Sequence, residues 1–230
     1  LRPNTASVYG LSDARGHDCF DPTAYVRLLY GLPILAGKEA RDPAEVGHRL
    51  LPMEHRAFDL LGVRFYCTDS EWSPPPGWKE SFADAGMRIY ENLDALPRAY
   101  LARDQVWIHR QPLPFADPSL DPGATVFLEE PEAALPGPAF AAGEARIVED
   151  APNRVRVAAE ADGWAWLVLL DNHYPGWRAC LENGEELTLL RAFGTWRAVA
   201  LPPGRHEVTF SYEPRSWRLG LALAGLGLLG

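Results

Sequence analysis

The chain has 230 residues, a net charge of −9 and a hydrophobic fraction of 47%. The apolar fraction supplies a real core for one large domain or two small ones. The acidic balance argues against a nucleic-acid partner, which needs a basic footprint. Only Lys38 and Lys79 are lysines among the 22 basic residues, a bias that a GC-rich genome explains. Cys19, Cys67 and Cys180 are too few for a disulfide scaffold and share no metal-ligand spacing. They read as buried thiols, with one bridge left open in an oxidising compartment.

The opening Leu1-Arg2-Pro3-Asn4 lacks a basic stretch followed by an apolar one, so it reads as the interior of a longer polypeptide. Asp21-Pro22 is an N-cap with proline at the first helical position, and Tyr25, Leu28 and Leu29 follow at helical spacing. A second helix is expected over 54–61, ended by Gly62, with a strand over 63–67. Trp72-Ser73-Pro74-Pro75-Pro76-Gly77-Trp78 reads as a stiff loop. Segments 87–91 and 98–102 look like a pair of strands joined by a turn. Residues 111–143 read as a long connection with one strand at 125–128.

The second part reads as all β. Val155, Val157 and Ala159 alternate on one face of a strand. Residues 164–170 are continuously apolar, as in a strand covered on both faces. Segments 177–181 and 186–190 are expected to pair through Asn183-Gly184, whose residues tolerate positive φ. Strands at 195–201 and 206–212 complete a small sandwich. The final run, Leu219 onward, has no polar side chain and follows Trp217 and Arg218. An aromatic anchor, a snorkelling arginine and repeated glycines are features of membrane helices, so this run is expected to begin a transmembrane helix.

Several stretches together resemble one family. Val8-Tyr9-Gly10-Leu11-Ser12-Asp13-Ala14-Arg15-Gly16-His17-Asp18, Leu60-Leu61-Gly62-Val63-Arg64-Phe65 and the segment from Tyr90 to Tyr100 are similar to segments of YfhO-like bacterial multi-pass membrane proteins. So are Tyr174-Pro175-Gly176-Trp177-Arg178-Ala179, with the hairpin after it, and Tyr212-Glu213-Pro214-Arg215-Ser216. That family looks like membrane-embedded glycosyltransferases that use lipid-linked sugars. The resemblance implies a polyprenyl-phosphate sugar donor, a cell-envelope acceptor, the lipid bilayer as a partner, and a place in the bacterial cell membrane with this region extracytoplasmic. The family's catalytic carboxylate is expected in an early loop outside this chain, so no catalytic residue is assigned.

The expected organisation is α+β: a mixed α/β portion over 1–143, an immunoglobulin-like antiparallel β-sandwich over 144–213, and the start of a transmembrane helix over 214–230. Asp13, Arg15 and Asp18 are candidate substrate contacts, because an arginine between carboxylates can position a sugar or phosphate; ordinary turn formation explains the same residues. Tyr174 and Trp177 flank a Pro-Gly turn and offer flat faces to a sugar, although a strand-leading tryptophan more often packs in the core. Asp171 and His173 read as structural hydrogen-bonding groups. No metal or cofactor motif is found. The accessory region of a membrane glycosyltransferase is the leading reading. A non-catalytic carbohydrate-binding or protein-docking module is the rival, and a freestanding glycosidase is third.

Overall fold

The structure, a computed structural model, describes residues 57–69, 72–84, 86–107, 121, 123–130, 134–214 and 216. The expected helix after Asp21, the Asp13–Arg15–Asp18 segment, Cys19 and the apolar run from Leu219 lie outside these residues. Among the described residues no helix is long and apolar enough to cross a membrane. They are mostly β, arranged in three sheets, and the chain divides into two units.

In the first unit, a short helix α1 (Ala57–Leu60) ends where the sequence places its stop. Gly62 has φ +64, its N–H donates to the Asp59 carbonyl, and the Val63 N–H reaches back to the Phe58 carbonyl. This double closure satisfies carbonyls the helix end would leave open. An antiparallel sheet follows, in the order β1 (Phe65–Thr68), β3 (Met87–Asn92), β2 (Trp78–Asp84). The proline-rich loop turns directly into β2. Its Trp72 sits edge-on against Tyr66, Trp78 and Tyr90, with centroids 4.8–5.6 Å apart. The Tyr90 hydroxyl donates to the Trp72 carbonyl. These tryptophans are therefore committed to an aromatic cluster.

The second unit contains two sheets. The five-stranded one runs β11 (Glu186–Leu187), β10 (Trp177–Leu181), β14 (Gly204–Tyr212), β8 (Arg154–Ala161), β7 (Gly143–Ala151). The six-stranded one runs β4 (Ala99–Ala102), β9 (Ala165–Leu169), β13 (Trp196–Leu201), β12 (Leu190–Ala192), β6 (Thr125–Leu128), β5 (Asp104–Trp107). Val155, Val157 and Ala159 of β8, with Val208 and Phe210 of β14, share one buried cluster with Leu101, Leu167, Leu169, Val199 and Leu201 of the other sheet. Alternation puts these residues on inward faces, and burying the two faces together makes a two-sheet layer. Every residue of β9 is buried, as the unbroken apolar run requires.

The structure corrects several expectations. Segments 87–92 and 99–102 are both strands, as expected, but they belong to different sheets. The strand expected over 186–190 is split: Glu186–Leu187 pairs with β10, and Leu190 has already crossed into the other sheet. At the Asn183-Gly184 turn only Gly184 takes positive φ, while the Asn183 side chain accepts from the Glu185 N–H. That is an Asx turn, a role asparagine fills without left-handed backbone. β4, β5 and β6 join the six-stranded sheet, and β5 pairs β6 in parallel. The strands within 144–213 pair with one another antiparallel, as expected, but with β4, β5 and β6 added the two sheets hold eleven strands among the described residues, more than the seven-strand immunoglobulin pattern. Cys67 is exposed and Cys180 half-buried, so neither is a fully buried core thiol, and among the described residues neither is bridged.

The outward face of the five-stranded sheet carries cross-strand ion pairs. Arg156 bridges Glu149 and Glu207, at 2.6 and 2.8 Å, and Arg205 meets Glu160 at 2.8 Å. Such exposed pairs contribute little stability, and the shared core contributes most. Leu167→Ala is expected to cost about 2–5 kcal/mol, whereas Arg154→Ala leaves the urea midpoint nearly unchanged. Paired urea melts check both.

Candidate functional site

One end of the second unit gathers its polar chemistry. β9 stops at Leu169, and the Asp171 N–H donates to the Leu169 carbonyl at 2.7 Å, a tight turn that carries Asp171 out of the sheet. On the neighbouring edge strand, Arg98 precedes β4, and its carbonyl accepts from the Leu170 N–H. Arg98 Nε and Nη2 donate to the two oxygens of Asp171 at 2.8 and 3.0 Å. Its Nη1 and Nη2 also donate to Asp150 at the end of β7. One guanidinium thus joins a carboxylate from each sheet. The hydrogen bond to Asp171 is the main cause of a pKa pushed well above the ordinary arginine value; burial opposes it, and Asp150 adds to it.

Arg197, at the start of β13, is 3% exposed. Its Nε and Nη2 donate to the Asn172 carbonyl at 3.2 and 3.0 Å. The guanidinium carbon lies 3.4 Å from the ring centroid of Trp177, a desolvated cation–π contact. Nη1 stands 3.6 Å from Asp171 and is buried, with no hydrogen-bond partner among the described residues. Burial pushes this guanidinium down to about 10; attraction to Asp171 opposes the fall, and repulsion from Arg98 deepens it. It therefore remains a cation at neutral pH. Thr195 Oγ1 donates to Asn172 Oδ1 at 2.8 Å, and the His173 N–H to the Thr195 carbonyl at 2.6 Å, fixing the loop that carries these groups.

The Tyr174–Trp177 turn is closed by the Trp177 N–H to the Tyr174 carbonyl. Pro175 presets φ at the first central position, and Gly176 at φ +111 takes the second, a type II arrangement. A Cβ on Gly176 would lie 2.9 Å from the Cα of Pro214, so only glycine fits. The Gly176 carbonyl accepts from the Glu213 N–H at 2.7 Å.

Arg98, Asp150, Pro152, Val155, Asp171, Trp177 and Arg197 line an open depression of about 360 Å³. Trp177 also lines a second one of about 410 Å³ with Arg178, Glu186 and Leu189. The first has a polar side of carboxylates and guanidinium and an apolar side of Pro152 and the Trp177 indole, while Val155, which also borders it, belongs to the buried core. Its size falls within the range of small-ligand sites.

Of the sequence-based candidates, Trp177 lies in the depression, half-buried, with its ring 5.3 Å from Tyr212 as well as against Arg197. Trp177 is thus packed against the core, as the core reading expects, and its partly buried ring borders the depression. Tyr174 stands at the other end of the turn and is 39% exposed. Asp171 belongs to the ion cluster. Sequence reasoning missed Arg98, Asp150 and Arg197. Only Arg98 had a signal, its place in the Ala95-Leu96-Pro97-Arg98-Ala99-Tyr100 segment. Among the described residues no group of His, Cys, Asp and Glu is placed to hold a metal ion.

No protein-family model and no curated protein matches the chain. Among solved structures it has a weak, partial likeness to the arabinofuranosyltransferase AftD from mycobacteria, at 27% identity and a TM-score of 0.28. The likeness covers 30% of this chain and 5% of that one.

His173 supplies a pH test. Burial, then repulsion from Arg191 and Arg197, holds its pKa below the ordinary 6.5, and its buried Nδ1 has no partner among the described residues. Folding therefore favours the neutral ring. The resulting stability is complete above the unfolded value of 6.5 and is lost as pH falls through the folded pKa. Urea melts from pH 7.5 down to about 5 should show that decline in the parent chain. His173→Phe should lack this component of the slope.

Proposed function

We propose that this chain is an extracytoplasmic, non-catalytic portion of a bacterial integral membrane glycosyltransferase. In this reading the whole protein transfers sugar from a polyprenyl-phosphate donor to a cell-envelope acceptor, and the depression at the Arg98 end contacts the glycan. The observation that carries the glycan contact is the two-sided lining. Asp150 and Asp171 offer acceptors to sugar hydroxyls, and Trp177 and Pro152 offer an apolar side to the C–H face of a ring. Tyr174 adds an exposed aromatic on the adjoining turn. Asp13, Arg15 and Asp18 are sequence-based candidates for further contacts. The membrane part of the proposal is supported by the resemblance to YfhO-like proteins and by the apolar run from Leu219.

A glycosidase requires a carboxyl that delivers a proton and a second one opposite it. Here both carboxylates accept hydrogen bonds from the same arginine, an arrangement that clamps. The rival reading, a binding or docking module, shares the depression and differs in what precedes Leu1 in the gene: several membrane spans for the transferase, a signal peptide alone for the module.

Two outcomes are expected of the purified chain. It floats with liposomes in a density gradient, while a version ending at Trp217 stays in the soluble fraction with an unchanged melting temperature. It does not turn over a polyprenyl-phosphate sugar. A large fall in melting temperature on truncation would show the final run to be a packed core element. Turnover by the chain alone would contradict its non-catalytic assignment.

A further inference from the structure

The depression has a definite place along the chain's path. Arg98 precedes β4, Asp150 ends β7, Asp171 follows β9, Trp177 opens β10 and Arg197 opens β13. All of these sit at the end of the unit where β14 finishes, because Trp177 pairs with Tyr212, the last residue of β14. Past Tyr212 the chain is fastened to the same turn: the Glu213 N–H donates to the Gly176 carbonyl, and Pro214 packs against Gly176. Leu219, where the apolar run begins, is five residues after Pro214. At no more than about 3.6 Å per residue, the run starts within roughly 18 Å of the Pro214 anchor. The Asn183-Gly184 turn is at the other end of β10, away from this exit of the chain.

The polar groups also sort by exposure. Asp150 has 54% of its side chain exposed, while the Arg197 side chain is sealed at 4%. Arg98 is exposed as well, but it spends its donors on two carboxylates. The open rim is therefore rich in acceptors. It suits hydroxyl donors and disfavours a sugar acid or a phosphate, which would meet the Asp150 carboxylate.

Resting on the proposed function, we infer that the depression is the membrane-proximal site of this region and takes an uncharged sugar ring presented at the bilayer surface by a lipid-linked saccharide. The outward face of the five-stranded sheet, with its paired charges, and the Asn183-Gly184 end take no part. Trp177 and Pro152 contact the ring's C–H face, and the carboxylates accept from its hydroxyls. The lipid-linked phosphate stays outside the depression.

The test uses the full chain in lipid nanodiscs, with nuclear magnetic resonance signals assigned for the Trp177 indole N–H and the Gly184 amide. Headgroup-attached paramagnetic lipids should broaden the Trp177 signal more than the Gly184 signal. Neutral methyl glycosides should shift the Trp177 indole, methyl glucuronide should bind more weakly, and Asp150→Asn should weaken the neutral glycosides by about tenfold, as expected for loss of one charge-assisted hydrogen bond. Because Asp150 is exposed, this variant should fold, and its melting curve checks that. Equal or greater broadening at Gly184 would overturn the membrane-proximal placement while leaving the accessory role intact. Absence of a Trp177 shift with neutral glycosides, or a preference for the glucuronide, would overturn the ligand class. Failure of the chain to enter nanodiscs would remove the membrane reading and this inference together.

Discussion

The two sheets of the second unit are held together by the apolar face they share, and that burial decides where polar chemistry can sit. Val157, Val208 and Phe210 from one sheet and Leu167, Leu169 and Val199 from the other are wholly buried. No charge can enter that layer without a large desolvation cost. Polar groups are confined to the outward faces and to the strand ends. On the outward face of the five-stranded sheet they pair off across strands. At the Tyr212 end they converge, since four strand ends and two turns bring Arg98, Asp150, Asp171 and Arg197 within reach of one another. The depression is thus a consequence of closing a two-layer core.

Arg98 links the two roles of that end. By holding Asp171 on its own sheet and Asp150 on the other, it fastens the layers at their open end and orients both carboxylates. Arg197 supports the floor: its carbonyl contacts fix the Asn172 loop, and its face against Trp177 sets the indole's position. In the proposed reading, a rigid aromatic beside preoriented acceptors would lose little freedom on binding a glycan. The same constraint fixes the chain's exit, because Gly176, held in a conformation only glycine adopts freely, is also the residue that Pro214 packs against.

Much of the second unit was legible from local pattern. Alternation along β8, the strand at β14, the apolar run of β9 and the Gly184 turn are short-range signals, and each appears as an element in its expected place. What was not legible is non-local. The parallel pairing of β5 with β6 leaves no periodicity of its own to read. The crossing of the chain between Leu187 and Leu190 shows only in the partners of the two strands, which belong to different sheets, and leaves no mark in composition. The site shows the same division. Trp177 and Tyr174 are visible as a motif, whereas Arg98 meets Asp150 and Asp171 across 52 and 73 residues of chain. An arginine whose partners are that distant looks in sequence like any surface arginine.

The most direct measurement is photo-crosslinking of a polyprenyl-phosphate sugar, with a diazirine on an uncharged sugar ring, to the membrane-reconstituted chain, followed by peptide mapping. The account predicts labelling within 150–155 and 171–178, competed by excess unlabelled lipid-linked sugar. Competed labelling confined to 183–186, or to the outward strands β7 and β8 away from Asp150, would contradict it.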